Sequence, residues 1–80
     1  MSQPAGEVVE VDASGLACPL PVLELSKAVG RSEAGTVVVL TATDPAARVD
    51  VPVWCRLRRH PLEAVEELPA GWRFRVRCAG

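Results

Sequence analysis

Trp72-Arg73-Phe74-Arg75-Val76-Arg77-Cys78 alternates apolar and cationic side chains without a break. Successive side chains of a strand point to opposite faces, so this run predicts a strand with one face buried and the other presenting guanidinium groups. Pro69-Ala70-Gly71 before it is a tight-connection signal, and Pro61 to Leu68 reads as the strand on the other side of that turn. The chain therefore closes on a pair of neighbouring strands.

Upstream of that pair the period changes. Asp50 can cap a helix whose first turn tolerates Pro52, with Val53, Trp54 and Leu57 as its expected buried side and an end near Arg59. Thr43-Asp44-Pro45 marks a turn, and Thr36-Val37-Val38-Val39-Leu40-Thr41 is a β-branched run suited to a mid-sheet strand. From Pro19 to about Arg31 the chain reads as helix, with Val22, Leu25, Ala28 and Val29 on one face and Gly30 or Gly35 available to end it. Glu7-Val8-Val9-Glu10-Val11-Asp12 reads as a first strand, followed by a turn over Asp12-Ala13-Ser14-Gly15. The order is β-α-β-α-β-β. It predicts an α/β fold, a two-layer sandwich in which two helices cover one face of a four-stranded mixed sheet and leave the other face partly open. Residues 1–6 read as a flexible tail and 7–80 as one domain.

At 80 residues there is room for a single thin core. Apolar residues make up 49% and charged residues 24%, the balance of a folded protein rather than a disordered one. A formal net charge of −1 gives no global attraction to nucleic acid or to an anionic membrane. The first six residues lack the basic and apolar parts of a signal peptide, and no apolar run is long enough to cross a bilayer, so the expectation is a cytoplasmic protein. Cys18, Cys55 and Cys78 are odd in number, far apart and form no C-x-x-C pair, which argues against a disulfide scaffold and a zinc knuckle. No metal or cofactor is expected.

The chemistry points to Cys18, in Gly15-Leu16-Ala17-Cys18-Pro19-Leu20-Pro21. Proline favours a helix's first turn, so Cys-Pro reads as a thiol followed by a helix start, where free amides and the helix dipole favour the nucleophilic thiolate. Cysteine hydrolases need a base and an orienting partner, and the one histidine, His60, follows the second helix in an arginine-rich stretch. There is no phosphate loop, H-E-x-x-H or dinucleotide fingerprint. A thiolate with so little around it is suited to carrying a group, and the natural cargo is a sulfur atom held as a persulfide.

Asp12-Ala13-x-Gly15-Leu16-x-Cys18-Pro19-x-Pro21, with Asp44-Pro45 and Asp50-Val51-Pro52-x-Trp54-Cys55 further on, closely resembles the TusA/SirA family of small sulfur carriers. The likeness runs from Glu7 to Cys78, with Cys-Pro-x-Pro as its strongest marker. It implies the same β-α-β-α-β-β sandwich, with Cys18 accepting sulfane sulfur and delivering it to a partner protein. Gly15, Leu16, Pro19 and Pro21 then shape the loop and start the helix. Donors in the family include cysteine desulfurases and rhodanese-type enzymes; recipients serve tRNA thiolation, sulfur oxidation or cofactor assembly. Many tRNA-thiolation members carry a basic residue where this chain has Ala17, so one aid to thiolate formation and to docking an acidic partner is missing. Two other readings stay open, a thiol redox switch and a non-catalytic interaction domain on the same fold.

Cys55 reads first as a core thiol and second as a resolving partner for Cys18, which would need the two α-carbons within about 7 Å. Cys78 continues the inward series of the last strand. Arg56, Arg58 and Arg59, together with Arg73, Arg75 and Arg77, have two readings: a docking surface for an acidic protein or RNA, and, more simply, a solvated face paired with Glu63, Glu66 or Glu67. Trp72 and Phe74 fall on the opposite face of the strand, so no aromatics interleave with these arginines on their own face, which weighs against direct nucleic-acid binding. Leu20 and Leu23 lie off the buried stripe of the first helix, where they could form an apolar docking patch beside Cys18.

Overall fold

The structure is a computed structural model that describes residues 7–79; the tail expected over 1–6 lies outside the described residues. Its elements are β1 (Val8–Ala13), α1 (Leu20–Gly30), β2 (Val37–Ala42), α2 (Ala47–Arg58), β3 (Leu62–Leu68) and β4 (Gly71–Arg77). The sheet order is β1-β2-β4-β3, with β1 parallel to β2 and β4 antiparallel to both β2 and β3. The expected order, mixed sheet and mid-sheet place of Val37–Ala42 are therefore observed.

Alternation along the strands places one core on one sheet face. Ala13, Val38, Leu40, Ala42, Phe74, Val76 and Cys78 form a single buried cluster with Leu25, Ala28 and Val29 of α1 and Ala47, Val51 and Cys55 of α2. Both helices thus cover the same face. On the other face Arg73 pairs with Glu66, and Arg75 and Arg77 both pair with Glu63, beside the register irregularity of β3. Glu67, the third expected partner, stands opposite Trp72. Val37 and Val39 lie on this open face yet are buried, next to Arg77 and Arg75 across the strand pair, whose methylene stems can cover apolar surface while their heads stay wet.

Two helical expectations need correction. In α1, Leu25, Ala28 and Val29 are buried as expected, but Val22 is only half-buried and Pro21 takes a fully buried place. In α2 the helix starts at Ala47 rather than after Asp50, so Pro52 lies inside it and the buried side becomes Ala47, Val51 and Cys55. Val53 and Leu57 face solvent, at 43% and 74% exposure, and Trp54 is half-buried against His60 with ring centroids 5.4 Å apart. The reason is Asp44. Its carbonyl accepts the Ala47 N–H at 3.0 Å and its Oδ1 accepts the Ala46 N–H at 2.9 Å, which begins the helix earlier than a cap at Asp50 would, with Ala46 as the capping residue. The α2 helix ends at Arg59, in the left-handed region with φ 63°, while the His60 N–H closes onto the Cys55 carbonyl.

Candidate functional site

Cys18 stands on the loop between β1 and α1, at the edge of the sheet where β1 and β2 both end. Besides the turn in which Asp12 Oδ1 accepts the Ser14 N–H, four hydrogen bonds hold the loop. Leu16 N–H donates to the Ala13 carbonyl and Leu20 N–H to the Ala17 carbonyl, at 3.2 and 2.9 Å. The other two come from the β2–α2 connection: Thr43 Oγ1 accepts the Gly15 N–H at 2.8 Å, and Asp44 Oδ2 accepts the Cys18 N–H at 3.0 Å. Gly15 has φ 80°, the left-handed conformation that suits glycine, so its place in the motif has a backbone cause. Leu16 and Cys18 pack against the core, Pro19 precedes the first helical residue, and the Cys18–Pro19 peptide is cis. Ala17 is exposed.

The expectation of a thiol lowered by a helix start is not met. Burial and then the nearby carboxylates of Asp50 and Asp44 push the Cys18 thiol above its ordinary value. Cys18 lies two residues ahead of the helical segment, and the groups that reach it are carboxylates from the start of α2 rather than the free amides of α1. Asp44, which accepts two backbone N–H groups, is itself held below the usual carboxylate range.

All three cysteines are free, and they differ in access. Cys18 is half-buried, whereas Cys55 and Cys78 are 2% and 3% exposed. Burial raises the Cys55 thiol to about 11. The expected docking residues divide into two groups. Leu20 and Leu23 lie at the cysteine end of α1, at 45% and 48% exposure. Arg56, Arg58 and Arg59 are exposed at the far end of α2, roughly 16 Å along the helix from Ala47 at the usual rise per residue, and do not join them. Sequence reading treated Thr43 and Asp44 only as a turn and Asp50 as a cap. The available signal was the Asp-Pro and Asp-x-Pro elements that accompany the Cys-Pro-x-Pro run.

Two clefts, of about 250 and 210 Å³, are lined by Glu10, Val11, Asp12, Ser14 and Thr41, and by Glu7, Val9, Arg31, Ser32, Glu33 and Thr36. Cys18 lines neither of them. Among the described residues no group of three or more His, Cys, Asp or Glu side chains could hold a metal ion, and no helix is long and apolar enough to cross a membrane.

Fold and site together define a small two-layer α/β domain that presents a single accessible thiol beside the start of its first helix. The family profile described as sulfurtransferase TusA matches residues 9–78, and the chain belongs to that family, with the sulfur-carrier or sulfurtransferase role it implies. Members of the family work in sulfur relays with partner proteins. Among solved structures, a SirA-like protein from Desulfitobacterium hafniense shares the fold, with a TM-score of 0.77 and 23% identity over 90% of this chain and 99% of that one.

Proposed function

We propose that Cys18 accepts sulfane sulfur from a donor protein, holds it as a persulfide and delivers it to an acceptor protein, with residues 7–80 forming the carrier unit. The observation that carries this reading is that Cys18 alone among the three cysteines reaches the surface, inside the span matched by the family profile and beside the exposed Leu20 and Leu23. In the loading step the Cys18 sulfur attacks the outer sulfur of the donor's persulfide. A new S–S bond forms at Cys18, the donor's S–S bond breaks, and the proton that Cys18 gives up ends on the donor thiolate. Delivery is the same exchange with the acceptor's sulfur as attacker, which returns Cys18 to the thiol. Oxidation state is conserved overall, so no external oxidant or reductant is needed.

Because the thiol is raised, it is largely protonated in the free protein at neutral pH, and the proton has to leave during the encounter. Donors of cysteine desulfurase or rhodanese type fit this chemistry, as does a reducing, cytoplasmic setting in which the three cysteines stay unpaired. Leu20 and Leu23 are the apolar contacts offered to such a partner. The thiol-switch reading is opposed by Cys55, which is enclosed and hard to ionise. Incubation with a cysteine desulfurase and cysteine, followed by intact and peptide mass measurement, is expected to place one extra sulfur on Cys18 and none on Cys18→Ser. Equal labelling of the two proteins would overturn the reading.

A further inference from the structure

We infer that Asp44 is a positioning residue for the Cys18 sulfur: its carboxylate ties the cysteine loop to the first turn of α2 and so fixes where the sulfur stands when a partner's sulfur meets it. This role rests on the persulfide-carrier reading above.

The two carboxylate oxygens are committed to different parts of the chain. Oδ1 accepts the Ala46 N–H at 2.9 Å, at the start of α2, and Oδ2 accepts the Cys18 N–H at 3.0 Å, 26 residues away. Both partners are donors, so the group between them must accept on both sides. An ionised carboxylate does; a carboxamide offers one acceptor and one donor and would set its NH2 against one of the two amides. The residue type is therefore demanded by the geometry and not only by a preference of turns for aspartate.

Cys18 lies after β1 and before α1, and among the described residues its amide has no main-chain acceptor. Thr43, adjacent to Asp44, accepts the Gly15 N–H. The β2–α2 connection thus grips the loop at two points, one of them the amide of the reacting residue itself. Exchange between two sulfurs needs the attacker aligned at contact distance, and misplacement by about 1 Å can cost on the order of 100-fold in rate. The charged groups that act on the thiol are Asp50 and Asp44, both carboxylates. The charge of Asp50 acts on the thiol, whereas Asp44 also holds the backbone that carries it.

The test compares Asp44→Asn and Asp44→Ala with wild type and with Asp12→Asn. Asp12 accepts the Ser14 N–H at 3.0 Å in the same loop and so controls for the loss of a turn carboxylate that does not bond to Cys18. Two quantities are read: the pH profile of Cys18 alkylation by iodoacetamide, resolved by peptide mass, and the rate of sulfur loading from a cysteine desulfurase. Loading is compared at pH values where alkylation rates are equal. Both Asp44 variants are expected to alkylate with a midpoint shifted to lower pH, because a neighbouring negative charge is gone. At matched alkylation they are expected to load sulfur on the order of ten- to a hundredfold more slowly, while Asp12→Asn follows wild type in both. Circular dichroism checks the fold, and the asparagine variant, which keeps the size and one acceptor, carries the test should the alanine variant not fold. Loading by the Asp44 variants at the wild-type rate, or an equal loss in Asp12→Asn, overturns this role alone. A wild-type protein that takes up no sulfur overturns the carrier reading and this role with it.

Discussion

At Cys18 the thiol is half-buried and under the influence of carboxylate charges, whereas at Cys55 it is enclosed by the core, and the two surroundings give one functional group two behaviours. In native protein a limiting amount of iodoacetamide is expected to modify Cys18 first and to reach Cys55 and Cys78 only on unfolding, as peptide mass measurement would show. The Cys18 rate should climb as pH rises above neutral, since thiolate is the reactive form and this thiol is raised, and Asp50→Asn should move that climb to lower pH. That Cys18 is the accessible thiol was legible in the sequence, because a cysteine in a Gly- and Pro-containing loop tends to lie near the surface. Its electrostatics were not. They depend on Asp44 and Asp50, which are distant in sequence and come close only once β1 and β2 lie parallel and α2 starts beside the loop.

Among the elements, β4 was read most fully and α2 least. Inward and outward positions in β4 follow a strict period of two, and nothing competes with that assignment. In α2, Ala47, Val51 and Cys55 form one stripe at four-residue spacing while Val49, Val53 and Leu57 form another, so periodicity alone does not say which faces the sheet. The turn at Asp44 settles it by fixing where the helix begins, and the stripe of smaller residues is the one that goes inward. The other end of α2 makes its own prediction. Arg59 occupies a left-handed position that a side chain disfavours, so Arg59→Gly is expected to raise stability by about 1 kcal/mol in urea unfolding. An unchanged or lower midpoint would contradict that account of the helix end.

For the whole molecule, stability rests on one cluster shared by both helices and the covered sheet face. Phe74 is fully buried in β4, an inner strand. Phe74→Ala is expected to cost about 3–5 kcal/mol, a large part of the roughly 5–15 kcal/mol typical of a domain, and to lower the urea midpoint accordingly. Alkaline pH should weaken the same core. The Cys55 thiol moves from 9.0 to about 11 on folding, so across that window the unfolded chain has lost its proton while the folded chain keeps it, and stability falls as pH rises. Below pH 9 that contribution is fully present. Urea unfolding on either side of the window should show the fall, and Cys55→Ala should flatten it. The layers, element order and mixed sheet were legible because an 80-residue chain has few ways to hide two helical stripes and four strands in one core. What the fold adds is an accessible thiol held from a second element at the end of the sheet, and the function proposed for it stands or falls on sulfur uptake. Mass measurement after incubation with a cysteine desulfurase and cysteine tests that claim most directly. One added sulfur on Cys18, lost in Cys18→Ser, is the predicted result, and an unmodified Cys18 with every donor type tried, or sulfur retained in the serine variant, would contradict it.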